Sequence, residues 1–368
     1  MAVTNVADLT IVPVTPAQAR AASDNMYPHW GQPNGVVSTD EYIKAFDSIA
    51  ATGPWDTAYT AWALVPRSDP TTVDILSHCQ TFRRRAFVVQ PGSDTVKQVT
   101  SYVVAHVFTP PEKRSMGMAR HMLRLLHYTL APKDDLPTFP KAWGAPPTTH
   151  YGDAAFSVLY SDVGPDFYQG CTVGEDRPGW VATPTDKRTW PVGQGESTWD
   201  PEWEAIDLAQ AKQLEVTATA ANCQAMPRTG DRTRTRVAFE YTNGSFRFSP
   251  VRGAVIDVAS HKRKNLDGLT VGVRLGAPSG VERPYIIYTA RIRGGAGTKK
   301  MRIAHVQHPV PFDALLRVAR AAGAQEIELW GDDSSWDAEE HEVTREKEIP
   351  CLASYSLGKN VEWLWCEQ

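Results

Sequence analysis

The sequence predicts a mixed α/β (α+β) protein built as two lobes. Three observations lead there. At 368 residues the chain is too long for one compact core. Short apolar, β-branched runs alternate with helical patterns along most of its length. Residues 98–130 read as a strand, a short loop and an amphipathic helix in direct succession.

Taken in order, residues 9–14 alternate as a first strand. Residues 15–26 follow as a helix, capped by Thr15 with Pro16 in its first turn. Tyr27, Pro28, His29 and Trp30 make an aromatic loop. Ser38-Thr39-Asp40-Glu41 then resembles a capping box, opening a helix whose apolar face holds Tyr42, Ile43, Phe46 and Ile49. Residues 57–66 and 75–89 read as strands around an Asp69-Pro70 turn, and Arg83-Arg84-Arg85 as a solvated strand edge. Residues 90–94 turn the chain into the strand 99–108, which meets Pro110-Pro111 and a loop with Lys113, Arg114 and Gly117. Ala119, Met122, Leu123, Leu126 and Leu130 lie on one stripe of the helix that follows. Residues 131–153 are a Pro- and Gly-rich loop, 154–159 a short strand, and 177–200 a polar linker.

Beyond the linker, residues 202–214 read as a helix. Residues 272–275, 285–292 and 301–306 read as strands of one sheet, with 294–297 as a hairpin turn. Residues 312–322 form an amphipathic helix ended by Gly323, and 327–330 a further strand. The expected domains are therefore 1–180, a linker over 181–200, and 201–368.

Composition removes several function classes. Apolar residues at 42% and charged residues at 22% are those of a soluble globular protein. A net charge of −4 gives no general attraction to nucleic acid or to an anionic membrane. No apolar run reaches the ~18 residues of a membrane span, and the first residues lack the basic and apolar pattern of a secretory signal. Five scattered cysteines, without a C-x-x-C pair, favour reduced thiols in the cytoplasm over zinc or disulfides. His305 and His308 straddle a strand end before Pro309, so no metal site is expected. There is no phosphate-binding G-x-x-x-x-G-K-[ST], no H-E-x-x-H and no G-x-S-x-G.

The strand, loop and helix around Gly117 have the geometry that holds a pyrophosphate. The first amides of a helix lack internal partners, and the helix dipole favours negative charge there. Gly117 lets the backbone approach where a Cβ would collide. Arg114-Ser115-Met116-Gly117-Met118-Ala119 fits the pattern Arg/Gln-x-x-Gly-x-Gly/Ala, and it resembles the coenzyme A loop of the GNAT acetyltransferase superfamily. A second GNAT motif, Asn-x-x-Ala-x-x-Leu/Phe-Tyr, is matched in register by Ser161, Gly164, Phe167 and Tyr168. The chain departs from the family just after this, having Gln169-Gly170-Cys171-Thr172 where a Gly-aromatic pair is usual.

The resemblance implies a GNAT fold for the first lobe and acetyl-CoA as cofactor. Arg114 to Ala119 would hold the pyrophosphate. Val107, Phe108 and Thr109 would offer backbone groups to the pantetheine arm and the oxyanion, and Ser161 would lie on the cofactor side. Tyr168 would donate a proton to the departing thiolate, as suits a phenol that titrates near ~10. Tyr27, His29 and Trp30 would shape the acceptor pocket. The base is harder to name. His106 lies three residues before Thr109, so strand alternation turns it away unless a bulge intervenes. Asp162 could attract an ammonium group or cap a helix.

The wording of VFTPPEKRSMGMARHMLRLL and SVLYSDVGPDFY further resembles fungal lysine acetyltransferases, which join an N-terminal GNAT lobe to a C-terminal α/β lobe. Weak matches continue at Phe246-Arg247-Phe248 and Arg252. This implies a cytoplasmic enzyme of amino-acid metabolism that acetylates the side-chain amine of a small molecule, free L-lysine first. Its C-terminal lobe, either an independent α/β unit or a degenerate relative of the first, would close the acceptor pocket. A detoxifying acetyltransferase for another amine and a coenzyme A-binding protein without turnover are the alternatives.

Overall fold

The computed structural model describes residues 5–51, 59–183, 185–276, 282–291, 297–307, 309–331, 336, 339, 341–343 and 347–365. β1 (Leu9–Pro13) passes through Thr15 into α1 (Pro16–Met26). Thr15 Oγ1 accepts from the Gln18 amide at 3.2 Å and Gln18 Oε1 from the Thr15 amide at 2.9 Å, a complete capping box. Where an aromatic loop was expected, Tyr27–Gly31 continues the helix as a π turn, and the chain reverses only at Gly35, φ 81°. α2 (Thr39–Ala51) starts at Ser38, whose Oγ accepts from the Glu41 amide at 3.2 Å. β2 (Tyr59–Pro66), β3 (Ser77–Val89) and β4 (Val96–Phe108) form an antiparallel meander. Residues 57 and 58 lie outside the described residues. α3 (Met118–Leu130) then crosses over to β5 (Ala154–Ser161), which runs parallel to β4, and one turn, α4 (Asp166–Gln169), follows.

The second half differs more from expectation. β6 (Val181–Ala182) and β7 (Lys187–Pro191) lie inside the stretch read as a linker, and Trp190 of β7 is buried in a core. β8 (Glu204–Ile206) and α5 (Leu208–Ala225) replace the helix read over 202–214, because Asp207 and Gln210 form a capping box that starts the helix later. There follow β9 (Thr235–Phe239), α6 (Ser245–Ala259), β10 (Gly272–Arg274), β11 (Tyr285–Arg291) and β12 (Lys300–Gln307). The chain ends with α7 (Phe312–Ala321), β13 (Glu326–Trp330), β14 (Glu342–Val343), β15 (Ile349–Ser354) and β16 (Val361–Trp363). Residue 292 and the turn residues 294–296 lie outside the described residues.

Two sheets result. The first has the order β1-β2-β3-β4-β5-β15-β6, with β9 on β3 beside β2 and β16 on β9; the second is β14-β7-β13-β12-β11-β10-β8. The pairings thus cut the chain differently from a boundary at 181–200. β15 inserts between β5 and β6, with Ile349 opposite Ser161, and β9 extends the edge of β3 from Ala86 to Val89. The arginine run is solvated in part: Arg83 and Arg85 are exposed, while Arg84 turns inward. Arg83 pairs with Asp153 at 2.8 Å and Arg85 with Glu240 at 2.8 Å. Arg84 lies over the Phe239 ring and donates to Ser245 Oγ at 2.7 Å. The return of the chain through β9 and into α6 brings Phe239, Glu240 and Ser245, while Asp153 comes from just before β5.

α3 packs one face of the first sheet around Leu9, Trp62, Tyr102, Met122, Leu126 and Trp180. α1, α2 and α6 cover the other face, around Met26, Tyr42, Ala63, Phe108, Val251 and Val255. α6 also reaches the second sheet, where Phe246 meets Tyr285 and Ile287. Its buried Arg247 pairs with the buried Glu215 of α5 at 3.0 Å.

A chain of buried hydrogen bonds ties β15 to α3. Trp180 Nε1 donates to Ser157 Oγ at 3.0 Å, and Ser157 Oγ meets the Tyr355 hydroxyl at 2.8 Å. Tyr355 meets His127 Nδ1 at 2.8 Å, and His127 Nε2 meets the Cys171 carbonyl at 3.0 Å. Burial holds His127 down to about 3, so the ring is neutral. A carbonyl only accepts, so Nε2 carries the hydrogen and Nδ1 accepts from Tyr355. Ser157 in turn donates to Tyr355, and every bond runs in one direction.

Candidate active site

The site begins where β4 and β5 part. Their parallel pairing runs from Thr100 opposite Ala154 to Val103 opposite Val158. β4 then continues to Phe108 while β5 is taken up by β15, which leaves a notch between them. On its other side β4 carries a bulge. The register moves from Gln80 opposite Ala105 to His78 opposite Phe108, one residue more on β4, and His106 sits at φ 50°. A bulge re-aims the side chains beyond it. Strand alternation therefore no longer turns His106 away. Its Nδ1 meets Gln80 Oε1 at 2.6 Å, and its ring is edge-on to Trp30 at 5.6 Å and to Phe46 at 5.4 Å. With the amide oxygen as acceptor, the hydrogen lies on Nδ1 and Nε2 keeps its lone pair. Burial, with the Arg252 and His78 charges, holds the ring down to about 3.

At the end of β4, Ser77 Oγ donates to the Phe108 carbonyl at 2.9 Å and meets Thr109 Oγ1 at 3.0 Å. Arg114 folds back, its Nε donating to the Thr109 carbonyl at 3.0 Å and its guanidinium lying 5.5 Å from the Phe108 centroid. Lys113 pairs with Asp74. Ser115 (φ 62°) and Gly117 (φ 77°) both adopt left-handed backbone, and Ser115, Met116 and Gly117 are exposed. Gly117 stands at the N-cap of α3 with no side chain capping the helix, and the first amide bonded back within it is that of His121, at 2.9 Å to the Gly117 carbonyl. The amides of Met118, Ala119 and Arg120 are left without helical partners. A Cβ on Gly117 would meet no atom within 4 Å, so the side of the N-cap residue faces open space. Met118 is buried and anchors the turn, while Ala119 is half-buried. Unpaired amides at the positive end of a thirteen-residue helix, next to the exposed Ser115, Met116 and Gly117, fit a diphosphate.

Tyr168 lies in α4. Its carbonyl accepts from the Cys171 and Trp180 amides, each at 3.1 Å, and its ring packs on the core cluster that holds Met118, Cys171 and Cys351. The hydroxyl has no hydrogen-bond partner among the described residues, and burial, followed by the nearby Cys171 and Asp162, pushes the phenol up. It is protonated at neutral pH. Ser161 is committed to a local turn, donating to the Gly164 carbonyl at 2.6 Å and accepting from the Val163 amide at 3.2 Å. Asp162 caps no helix, since Pro165 is the cap residue of α4; instead it accepts from the Glu348 amide at 3.2 Å. Glu348 in turn holds Arg302 at 2.9 Å, which joins the second sheet to this corner.

A cavity of about 560 Å³ opens beside the β4 bulge. His106, His78 and Gln80 line it together with residues of β1, β2, α1 and α2, and α6 contributes Phe248 and Arg252. None of Tyr27, His29 and Trp30 lines it. Tyr27 bonds the Val36 carbonyl at 2.9 Å and packs edge-on to Tyr42, whereas His29 and Trp30 pack on Phe108 at 5.0 and 5.5 Å. Phe248 and Arg252 had surfaced in the sequence only as weak matches, with no sign that they reach a site. Among the described residues no group of three His, Cys, Asp or Glu side chains is placed to hold a metal, and no helix is long and apolar enough to cross a membrane. His305 packs tilted against the Phe246 ring at 4.6 Å; His308 and Cys366 lie outside the described residues.

No protein-family model and no curated protein matches the sequence. Solved structures do resemble the fold. A GCN5-related N-acetyltransferase from Kribbella flavida aligns over 95% of this chain and 71% of its own, at 12% identity and a TM-score of 0.50. A conserved protein from Enterococcus faecalis V583, described as a probable N-acyltransferase, aligns over 95% and 73%, also at 12% identity and 0.50. The two-sheet architecture, the crossover through α3 and the parted strands together give this chain the fold of the GCN5-related N-acetyltransferases.

Proposed function

We propose that the protein transfers an acetyl group from acetyl-CoA to the amine of a small molecule. What supports this reading is the uncapped start of α3 just after the strand that parts from β5, with Tyr168 packed on the core cluster that holds Met118. Acetyl-CoA, when bound, supplies the acetyl group as a thioester. The amides of Met118, Ala119 and Arg120, with Ser115 to Gly117, would hold its diphosphate. The backbone of Val107 to Thr109 would line the notch, and an N–H there would stabilise the developing oxyanion.

An alkylammonium titrates near ~10.4, so losing its proton at pH 7 costs about 4–5 kcal/mol. The apolar cavity favours the neutral amine. His106, neutral with its Nε2 lone pair available, would accept an N–H bond and orient the nitrogen; a ring held near 3 serves better in that role than as a store for the amine's proton. As the N–C bond forms and the C–S bond breaks, Tyr168 would give its proton to the departing thiolate, and the proton shed by the new amide nitrogen would return through water to the phenolate.

Free L-lysine is the acceptor that the sequence resemblance supports. The aromatic lining of the cavity favours a second reading, a xenobiotic or secondary-metabolite amine. Incubation with acetyl-CoA, with and without L-lysine, while free thiol is followed, tests both. Turnover with lysine supports the first, and turnover only with other amines the second. Tight coenzyme A binding without turnover would make this a non-catalytic binding protein and refute the proposal.

A further inference from the structure

The walls of the cavity beside His106 are aromatic. Phe46 stands edge-on to His106 at 5.4 Å, Phe82 is edge-on to Phe248 at 6.4 Å, and Tyr59 tilts onto Phe82 at 5.4 Å. At about 30 Å³ per water-sized group, 560 Å³ has room for roughly 15–20 heavy atoms, whereas free lysine has about ten. A pocket of about 300–1,000 Å³ with apolar walls and few polar groups suits a ligand with a substantial apolar body.

The charged groups argue the same way. A free amino acid would bring its carboxylate into this enclosure, and an unpaired buried ion costs several kcal/mol. Both lining arginines are already engaged. Arg20 holds Asp24 at 3.1 Å and Asp40 at 2.7 Å, and Arg252 has interactions of its own. The exposed Asp47 at the rim supplies the negative charge that draws in a cation. Deeper in, His78 is 2% exposed, and among the described residues its Nε2 has no partner.

We infer that the acceptor is a primary amine with an aryl or branched-alkyl body, enclosed by Phe46, Phe82 and Phe248 while its nitrogen reaches His106. This rests on the acetyl-transfer reading and names its substrate class. Phe248 comes from α6, so the second half of the chain selects the acceptor.

The test is a rate series with acetyl-CoA and straight-chain amines from propylamine to octylamine, 2-phenylethylamine and L-lysine. Calorimetry of 2-phenylethylamine binding runs alongside. The expected kcat/KM rises about fourfold per methylene until the cavity is full. 2-Phenylethylamine is expected to exceed L-lysine by about 100-fold, and Phe248→Ala to lower its kcat/KM by about tenfold more than that of propylamine. A flat series, a preference for L-lysine, or equal losses in Phe248→Ala would overturn the inference. Binding of 2-phenylethylamine without acetylation would uphold the cavity's selectivity while sinking acetyl transfer. Acetylation of other amines without that binding would do the reverse.

Discussion

Replacing Tyr355 with phenylalanine deletes one oxygen from the middle of the one-way bond chain that joins β15 to α3. The ring still fits, so no cavity forms. What changes is that His127 Nδ1, a fully buried acceptor, loses its donor, and the Ser157 hydroxyl loses its acceptor. Each unsatisfied buried group costs about 1–3 kcal/mol. The Ser157 hydroxyl can rotate while still accepting from Trp180, which lowers the sum to about 2–4 kcal/mol. With an unfolding entropy of about 2.1 cal/mol/K per residue, a chain of 368 residues loses roughly 3–5 °C in Tm. Calorimetric melting of wild type, Tyr355→Phe, Ser157→Ala and the double variant measures this. In the double variant the two losses should be less than additive by about 1 kcal/mol or more, because each removes the same bond. A Tm within about 1 °C of wild type, or strict additivity, would refute the reasoning.

Acid should destabilise the protein well above the carboxylate range. Burial depresses His78 and His121 to about 4 and His127 to about 3, against ~6.5 unfolded, so on acidification the unfolded chain takes up protons first. Stability is therefore fully present above pH ~6.5 and falls by about 1.4 kcal/mol per pH unit for each ring until its folded value is passed. Urea midpoints that match at pH 7 and pH 5 would contradict this. Tyr168→Phe should lower kcat by about 10²–10⁴-fold with acetyl-CoA affinity unchanged. Because the phenol is pushed up, wild-type kcat should show no fall from its ionisation between pH 6 and 9; a falling limb that the variant abolishes would count against the assigned burial. Gly117→Val forces a β-branched residue into left-handed backbone, and the coenzyme A Kd should rise about tenfold or more by calorimetry. Unchanged affinity would detach that loop from the cofactor.

The parts of this fold that were legible in the sequence are those set by local chemistry. α3 announced itself through an apolar stripe after Gly117, and α1 through Thr15 and Pro16. The parts that were not legible depend on distant chain. The bulge at His106 appears only in the pairing of β3 with β4. α6 escaped notice because it is buried on several sides and carries Pro250, so it shows neither an amphipathic period nor an uninterrupted helical run. Tyr27, His29 and Trp30 looked like a pocket lining, yet His29 and Trp30 brace the end of β4 and Tyr27 packs on Tyr42. The cavity's aromatic wall includes Phe248, from a helix that sequence reasoning had not drawn.

The insertion of β15 has a bearing on how the molecule comes to exist. Leu352 lies between Val158 and Val181 across the sheet, and Ile349 seals Ser161 beside the notch. A nascent chain that has emerged only to residue 183 holds β5 and β6 but not the strand that separates them. Its apolar edge must wait for residues made much later, and an exposed strand edge recruits other chains. Closing so long a loop is slow, which makes this corner a natural client for chaperones during synthesis. A truncation before Ile349 should therefore yield an insoluble product, although the segments around Gly117 and Tyr168 would both remain in it.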